Sequence, residues 1–318
     1  MEKDLMKIIS IVGPTASGKT DLAIKIAEKF NGEIISADSM QIYKEFNILS
    51  AKPSAVQLRS VPHHLVNFVS VSESFSVSDF VASAKFAAED ITKRGRIPVL
   101  VGGTGLYADS FLKGMNFEDE PPRNDEKRAE LKKMSNEELM EILIDIDEVS
   151  AEKIHINDTK RLIRAIEFFY SAGYPISEQV RKSKGIVSPY DVCKIGINFR
   201  SRDLLYDRIN LRVDRMFESG IIDEVRRISN LKVSKTAAAA IGYKELLPYV
   251  NLNQSSEIAK DILKQASRNY AKRQLVWFRR DKKIHWIYGE DFENTEEMAD
   301  TAVDIIKNSF KCEILALK

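Results

Sequence analysis

The chain has 318 residues, 44% of them hydrophobic and 30% charged, a composition that excludes a disordered or fibrous protein and can bury a large core without staples. Its two cysteines, Cys193 and Cys312, make neither a disulfide framework nor a metal-ligand spacing, and 48 Lys and Arg against 47 Asp and Glu leave a net charge of +1, which exerts no global pull on a polyanion. The start Met1-Glu2-Lys3-Asp4 is no signal peptide and no apolar run nears the ~20 residues that span a bilayer, so the expectation is a cytoplasmic protein without membrane contact.

Residues 7–12 (KIISIV) predict a short buried strand closed by Gly13-Pro14. Leu22, Ile26 and Phe30 recur at four-residue spacing, one helix face ending at Asn31-Gly32. Residues 33–37 (EIISA) read as a second strand. Ser76 with Asp79 is a capping-box variant that opens a helix with Phe80, Ala84, Ala87 and Ile91 inward, stopped by Gly95. Residues 97–101 (IPVLV) form a third strand running into Gly102-Gly103. Apolar strands alternating with helices predict an α/β fold, a parallel sheet covered on both faces.

The character changes near Asn116. Residues 116–152 carry 13 acidic and 5 basic side chains, contain Pro121-Pro122, and show no strand-like run. Ser135 with Glu138 makes a capping box, and Asn157 or Asp158 caps a helix with Leu162, Ile166 and Phe169 inward, ending at Gly173. Residues 192–198 (VCKIGIN) return to strand character. Long helices follow, one with Leu205, Ile209, Val213 and Met216 inward up to Gly220 and one from about Ser255 to about Arg280. A strand at 284–288 and a helix after Asn294 finish the chain. The expected organisation is an α/β core begun by 1–115, a helical insertion at 116–190, and completion of the core by 191–318.

The segment Gly13-Pro14-Thr15-Ala16-Ser17-Gly18-Lys19-Thr20 matches G-x-x-x-x-G-K-[ST], and it follows a strand and opens a helix as that motif requires. Its backbone N–H groups form a phosphate nest at the positive end of a helix dipole. Lys19 adds a point charge and the Thr20 hydroxyl can hold Mg²⁺. NTPases and kinases usually add an acid at the end of a second apolar strand, whereas 97–101 ends in Gly102-Gly103-Thr104-Gly105, with backbone donors and a hydroxyl. The acid expected near the loop is Asp38, at the carboxyl end of the second strand, where ligands of open α/β sheets sit. A carboxylate there can be a metal ligand, a general base or a cap for a helix from Ser39 onward. His63-His64 is a tempting pair, but neighbours on a strand point to opposite faces, so both do not serve one metal.

Basic residues cluster locally despite the neutral total. Residues 200–215 contain Arg200, Arg202, Arg208, Arg212 and Arg215, with Arg208 and Arg212 on one helix face. Residues 268–283 hold seven cations against Asp281, interleaved with Tyr270, Trp277 and Phe278. Lys160, Arg161 and Arg164 form a third patch. Cations with aromatics suit a phosphate backbone and stacked bases. Seven acids and no base at 289–304 cancel these clusters in the sum without having to cancel them in space.

GPTASGKT (13–20), DSMQIY (38–43), SAKP (50–53), PHHL (62–65), GGTGLY (102–107), KRLIRAIEFFY (160–170), IGYKEL (241–246) and YAKRQLVWFRR (270–280) occur in this order. In these segments the chain resembles the tRNA dimethylallyltransferases, also called tRNA isopentenyltransferases, over nearly its whole length. The resemblance implies a P-loop NTPase-like parallel sheet core with an inserted helical domain and C-terminal helices. It implies transfer of a dimethylallyl group from dimethylallyl diphosphate to N6 of the adenosine 3′ of the anticodon (position 37), in tRNAs reading codons that begin with U. By this likeness Asp38 is the general base, Thr104 positions the acceptor and diphosphate, and Gly13 to Thr20 hold the Mg²⁺-diphosphate leaving group, approached by Arg208 and Arg212. Contacts to the tRNA anticodon stem-loop are implied for Asp38, Ser39, Met40, Gln41, Thr104, Arg128, Lys160, Arg161, Leu162, Ile163 and Arg164. The same holds for Ala240, Ile241, Gly242, Tyr243, Lys244 and Glu245. A monomer suffices for such a mechanism. Rival readings are a kinase sharing the phosphate loop, a transferase acting on a free adenylate, and a nucleotide-gated RNA binder that needs no Asp38.

Overall fold

The computed structural model describes residues 5–117, 121, 124–184, 187–250 and 256–310. The expectations placed on Met1 to Asp4, Pro122 and Cys312 lie outside the described residues. The chain divides into two compact units, one of Met1–Lys113 with Pro189–Lys318 and one of Gly114–Ser188, so both junctions fall two residues before the expected positions.

In the first unit β1 (Met6–Val12) leads through α1 (Lys19–Lys29) to β2 (Gly32–Ser36). There follow α2 (Ala55–Ser60), the two-residue β3 (His63–His64), α3 (Val77–Lys93), β4 (Ile97–Gly102) and α4 (Gly105–Leu112). The described strands form one sheet in the order β3-β2-β4-β1-β5-β6, every neighbouring pair parallel, where β5 is Tyr190–Asn198 and β6 is His285–Tyr288. Ile9 pairs with Val99 on one side and Cys193 on the other, and all three are buried. Strands so enclosed carry near-continuous apolar runs because helices cover both faces. One covering layer is α1 with the C-terminal helix, whose Leu22, Ile26, Ala299, Ala302 and Ile306 pack on Ile9, Ile11, Val99 and Ile195.

Local signals account for the helix ends. Ser76 Oγ accepts from Asp79 N, while Asp79 Oδ2 accepts from Ser76 N at 2.8 Å, the reciprocal box expected before α3. Gly95 closes that helix at φ +72°. At the carboxyl ends of the strands the backbone runs so close that side chains are excluded. A Cβ on Gly102 would lie 2.1 Å from Ala37 O, and one on Gly13 would lie 2.7 Å from Ile197 O.

The second unit, taken by itself, comprises α5 (Asp125–Leu131), α6 (Asn136–Ile146), α7 (Glu148–Ala151), α8 (Thr159–Ala172) and α9 (Ile176–Lys184). Ser135 and Glu138 form the capping box of α6, and Asp158 is the cap of α8. Leu131, Leu139, Leu143, Leu162, Ile163 and Ile166 are its core. Phe169 was expected inward, but Phe168 takes that role at 1% exposure and Phe169 is half-buried. Positions 162, 166 and 169 share one face by helical spacing, and Phe168 is buried off that face, against the Tyr174 ring and under the Arg164 guanidinium.

The first unit resumes with β5, then α10 (Arg202–Glu218), α11 (Ile221–Ser229), α12 (Lys235–Ala238), α13 (Tyr243–Leu246), α14 (Ser256–Phe278), β6 and α15 (Thr295–Ser309). Between the two long helices the sequence reading gave no elements where the chain makes α11, α12 and α13. Two of these have four residues each, too short for a periodicity to register. Among the described residues no helix is long and apolar enough to cross a membrane.

Candidate active site

The loop of residues 13–18 joins β1 to α1 and stands at the carboxyl end of the sheet. Gly18 at φ +91° and Ala16 at φ +61° are left-handed, the conformations that turn successive N–H groups to one side. Lys19 Nζ donates to Pro14 O at 3.0 Å, folding the lysine over the loop. Burial, and next the charge of Arg212, lower its ammonium pKa to about 8, while Asp38 pulls it upward. Arg208 Nε donates to Ala16 O at 2.9 Å, so this arginine braces the loop from outside and does not line the cavity.

A cavity of about 290 Å³ opens beside the loop within the first unit. Thr15, Lys19, Thr20, Asp38, Arg212 and Arg273 make its polar part. Ile34, Leu49, Val101, Ile209, Val213, Met216 and Leu263 make its apolar part. Of the expected site residues, Ser39, Met40, Gln41, Ala240, Ile241 and Lys244 also line it. One chamber therefore brings an anion-binding loop, three further cations, a carboxylate and an aliphatic wall together.

No helix follows Asp38, which corrects the reading of that carboxylate as a helix cap. Residues 39–42 are turns, and Asp38 Oδ1 accepts from Met40 N at 2.9 Å and Gln41 N at 3.3 Å. That arrangement fixes one oxygen and leaves the other uncommitted. Gln41 is turned inward: its Oε1 accepts from Ser36 Oγ, and its Nε2 approaches Ala51 O at 3.4 Å. Thr104 Oγ1 accepts from Ser39 N at 3.1 Å, which ties the 102–107 turn to the residue after Asp38. Thr104 does not itself line the cavity.

Gln274 was missed from sequence, and Tyr270 figured there only as an aromatic among the cations of 268–283. Gln274 of α14 is 5% exposed; its Oε1 accepts from Thr15 N at 2.8 Å and its Nε2 donates to Gly103 O at 2.9 Å. It bridges the phosphate loop to the glycine turn. Tyr270, one turn earlier, lines the cavity, and burial followed by the charge of Asp38 pushes its phenol up to about 12. For Gln274 its place in the motif YAKRQLVWFRR was the only available signal.

His63 and His64 diverge as strand neighbours must. His64 Nε2 meets the buried Glu33 carboxylate at 2.7 Å. His63 Nδ1 lies 2.8 Å from Val61 O, so it carries the proton, and the buried Nε2 is left as an unpartnered acceptor in the cavity wall. Among the described residues no three His, Cys, Asp or Glu side chains group as metal ligands.

The other expected tRNA contacts divide by burial. Lys160 and Arg161 are exposed on α8, whereas Leu162 and Ile163 are core residues at 0% and 4% exposure, so their side chains cannot meet a ligand. Arg128 Nη1 donates to the buried Glu167 carboxylate at 2.8 Å. Tyr243 is buried, and Glu245 accepts from Gly242 N at 2.7 Å as the cap of its own helix. Of the acidic stretch 289–304, Asp291 does meet one of the clustered cations in space, pairing with Arg200, whereas Glu296 pairs with Lys25 and Lys29 of α1, outside those clusters.

Comparison with known proteins places these residues in context. The family model described as IPP transferase matches residues 41–281. A tRNA dimethylallyltransferase of Thermoanaerobacter sp. (strain X514) is 42% identical over 300 residues, covering 92% of this chain and 95% of that protein. The full-length tRNA isopentenylpyrophosphate transferase of Bacillus halodurans is structurally similar, with a TM-score of 0.70 at 39% identity, over 96% of this chain and 99% of that one. A eukaryotic dimethylallyltransferase acting on tRNA superposes with a TM-score of 0.81 at 29% identity, over 95% of this chain and 80% of the other.

Proposed function

The chain belongs to the IPP transferase family, and on that premise we propose that it is a tRNA dimethylallyltransferase, moving a dimethylallyl group from dimethylallyl diphosphate onto tRNA. The observation that carries this reading is the single cavity holding Lys19, Thr20, Arg212 and Asp38 against an aliphatic wall. The cations and the loop take the diphosphate, and the wall takes the five-carbon chain. The acceptor is N6 of the adenosine 3′ of the anticodon, in tRNAs reading codons that begin with U.

The exocyclic amine is a poor nucleophile while it keeps its protons. As N6 bonds to C1 of the dimethylallyl group, the C1–O bond breaks and its electron pair leaves with the diphosphate. The N6 proton passes to the free oxygen of Asp38, which supplies general-base catalysis. Thr104, through Ser39, holds the base-bearing turn in place. The adenine must leave its stack to enter such a chamber, and Lys160, Arg161 and Lys244 are exposed cations suited to the RNA backbone.

Mg²⁺ suits the hard oxygen donors at the loop: Thr20 lines the cavity, and Ser17 Oγ is buried with no hydrogen-bond partner among the described residues. When bound, the ion supplies neutralisation of charge on the leaving diphosphate. A monomer suffices for this mechanism.

The test is incubation with dimethylallyl diphosphate and unmodified tRNA, followed by mass analysis of the nucleosides. Wild-type protein gives N6-dimethylallyladenosine. Asp38→Asn keeps an oxygen for the Met40 and Gln41 N–H groups but loses the base, so transfer falls by about 10²-fold or more while tRNA still binds. Wild-type turnover in that variant removes Asp38 from the base role. Phosphate transfer from ATP with no prenyl adduct assigns the chain to the kinases instead.

A further inference from the structure

Glu224 lies on α11, outside every segment that carries the family resemblance, and it does not line the cavity. It is 1% exposed; among the described residues its carboxylate makes no direct ion pair, and the cation that feels its charge is Lys52 of the turn it holds. Its carboxylate is bonded instead by three consecutive backbone donors. Asn47 N and Ile48 N donate to Oε2 at 3.1 and 2.9 Å, and Leu49 N donates to Oε1 at 2.8 Å. Three converging N–H groups form an anion nest in which a carboxylate, with two oxygens and a charge, is the best-matched acceptor.

The nest begins the stretch that makes one wall of the cavity. Leu49, Ser50, Ala51 and Pro53 line the chamber directly. Ala51 sits at φ +44°, a conformation an alanine keeps only when its surroundings impose it. Ala51 O faces Gln41 Nε2 at 3.4 Å, and Gln41 N donates to Asp38 Oδ1. Leu49 also packs under Gly242, with 3.4 Å from its Cγ to where a Cβ would stand. From the outer side Lys52 Nζ ties the same turn to Lys44 O, Asn47 Oδ1 and Asn67 Oδ1 at 3.0 to 3.1 Å.

We infer that Glu224 is a positioning residue for the transfer reaction: without touching either substrate, it anchors the 47–51 wall and, through Ala51 and Gln41, the turn that aims Asp38. This rests on the functional reading above. A purely structural carboxylate would contribute stability alone. A positioning one would set the rate of transfer and leave the phosphate loop unaffected, because that loop is held elsewhere by Gln274 and Arg208.

Glu224→Gln separates the two roles. Glutamine offers one acceptor oxygen and turns an NH₂ group against the remaining N–H donors. The variant and the wild type are compared in three measurements: steady-state transfer from dimethylallyl diphosphate to tRNA, binding of inorganic diphosphate, and amide hydrogen exchange. The expected result is kcat lower by about 10- to 100-fold, the scale of an ångström's misplacement. Diphosphate affinity stays within about twofold, and faster exchange is confined to 47–51. If the variant does not fold, Lys52→Met loosens the same turn from its other side and must give the same split. Wild-type kcat with lost protection at 47–51 overturns the inference. So does a fall in transfer matched by equal loss of diphosphate binding and by faster exchange throughout the sheet. A wild-type chain that fails to prenylate tRNA sinks the functional reading instead, so the two failures are distinguishable.

Discussion

Replacing Gln274 by Met tests whether the phosphate loop and the glycine turn act as one rigid unit. The substitution keeps the length and apolar body of the side chain and removes both polar ends. Thr15 N–H and Gly103 C=O then lose partners at 2.8 and 2.9 Å in a site that is 5% exposed at position 274. An unpaired buried group costs about 1–3 kcal/mol. Thr15 faces the cavity and regains water, so the buried Gly103 C=O carries most of the cost, roughly 1–3 kcal/mol. The kinetic effect should exceed the thermodynamic one, because a loop displaced by about 1 Å against Thr104 and Asp38 loses about 10²-fold in rate. Urea unfolding followed by circular dichroism gives the first quantity, and steady-state transfer to tRNA gives the second. Stability within about 0.5 kcal/mol of wild type, together with unchanged kcat, would refute the reasoning and show the bridge to be replaceable by water.

Two further predictions concern protons. Lys19 is charged below about pH 8 in the free chain, so affinity for dimethylallyl diphosphate should be intact at neutral pH and decline as pH rises through about 8. Lys19→Arg, which stays charged, should flatten that decline in a calorimetric titration, and pH-independent wild-type binding would contradict it. Glu33, its side chain 2% exposed, is bonded by Arg94, Arg96 and His64, and Arg94 above all holds its carboxyl down at about 2. Its folded-state pKa is depressed, so its contribution is fully present above the ordinary carboxylate range and is lost as pH falls toward about 2. A shift of that size corresponds to about 3 kcal/mol. Glu33→Gln should remove about that much at neutral pH and flatten the acid limb of the stability curve. Parallel limbs in the two proteins, measured as urea midpoints against pH, would exclude the assignment.

The legible part of this protein was the part whose signals are local. The run KIISIV ahead of GPTASGKT reported a strand, a phosphate loop and a helix start within about twenty residues, and β1 and α1 stand there. Capping boxes at Ser76 and Ser135 announced their helices for the same reason. What stayed hidden was short or distant. The two residues of β3 and the four-residue α12 and α13 are too brief for a periodicity. Leu162 and Ile163 sit among the exposed cations of α8, and only packing separates core from surface there.

By itself, then, the sequence determined the α/β class, the phosphate loop, Asp38 at a strand's carboxyl end and the family likeness, because each of these is written in contiguous residues. Tertiary structure alone decided that Gln274 reaches Thr15 across 259 positions, that Glu224 clasps the backbone of Asn47 to Leu49, and that Leu49, Val213 and Leu263 line the same chamber as Lys19. Such contacts depend on which strand ends the sheet brings side by side, and a hydrogen bond to a backbone N–H leaves no mark on the identity of the residue that donates it.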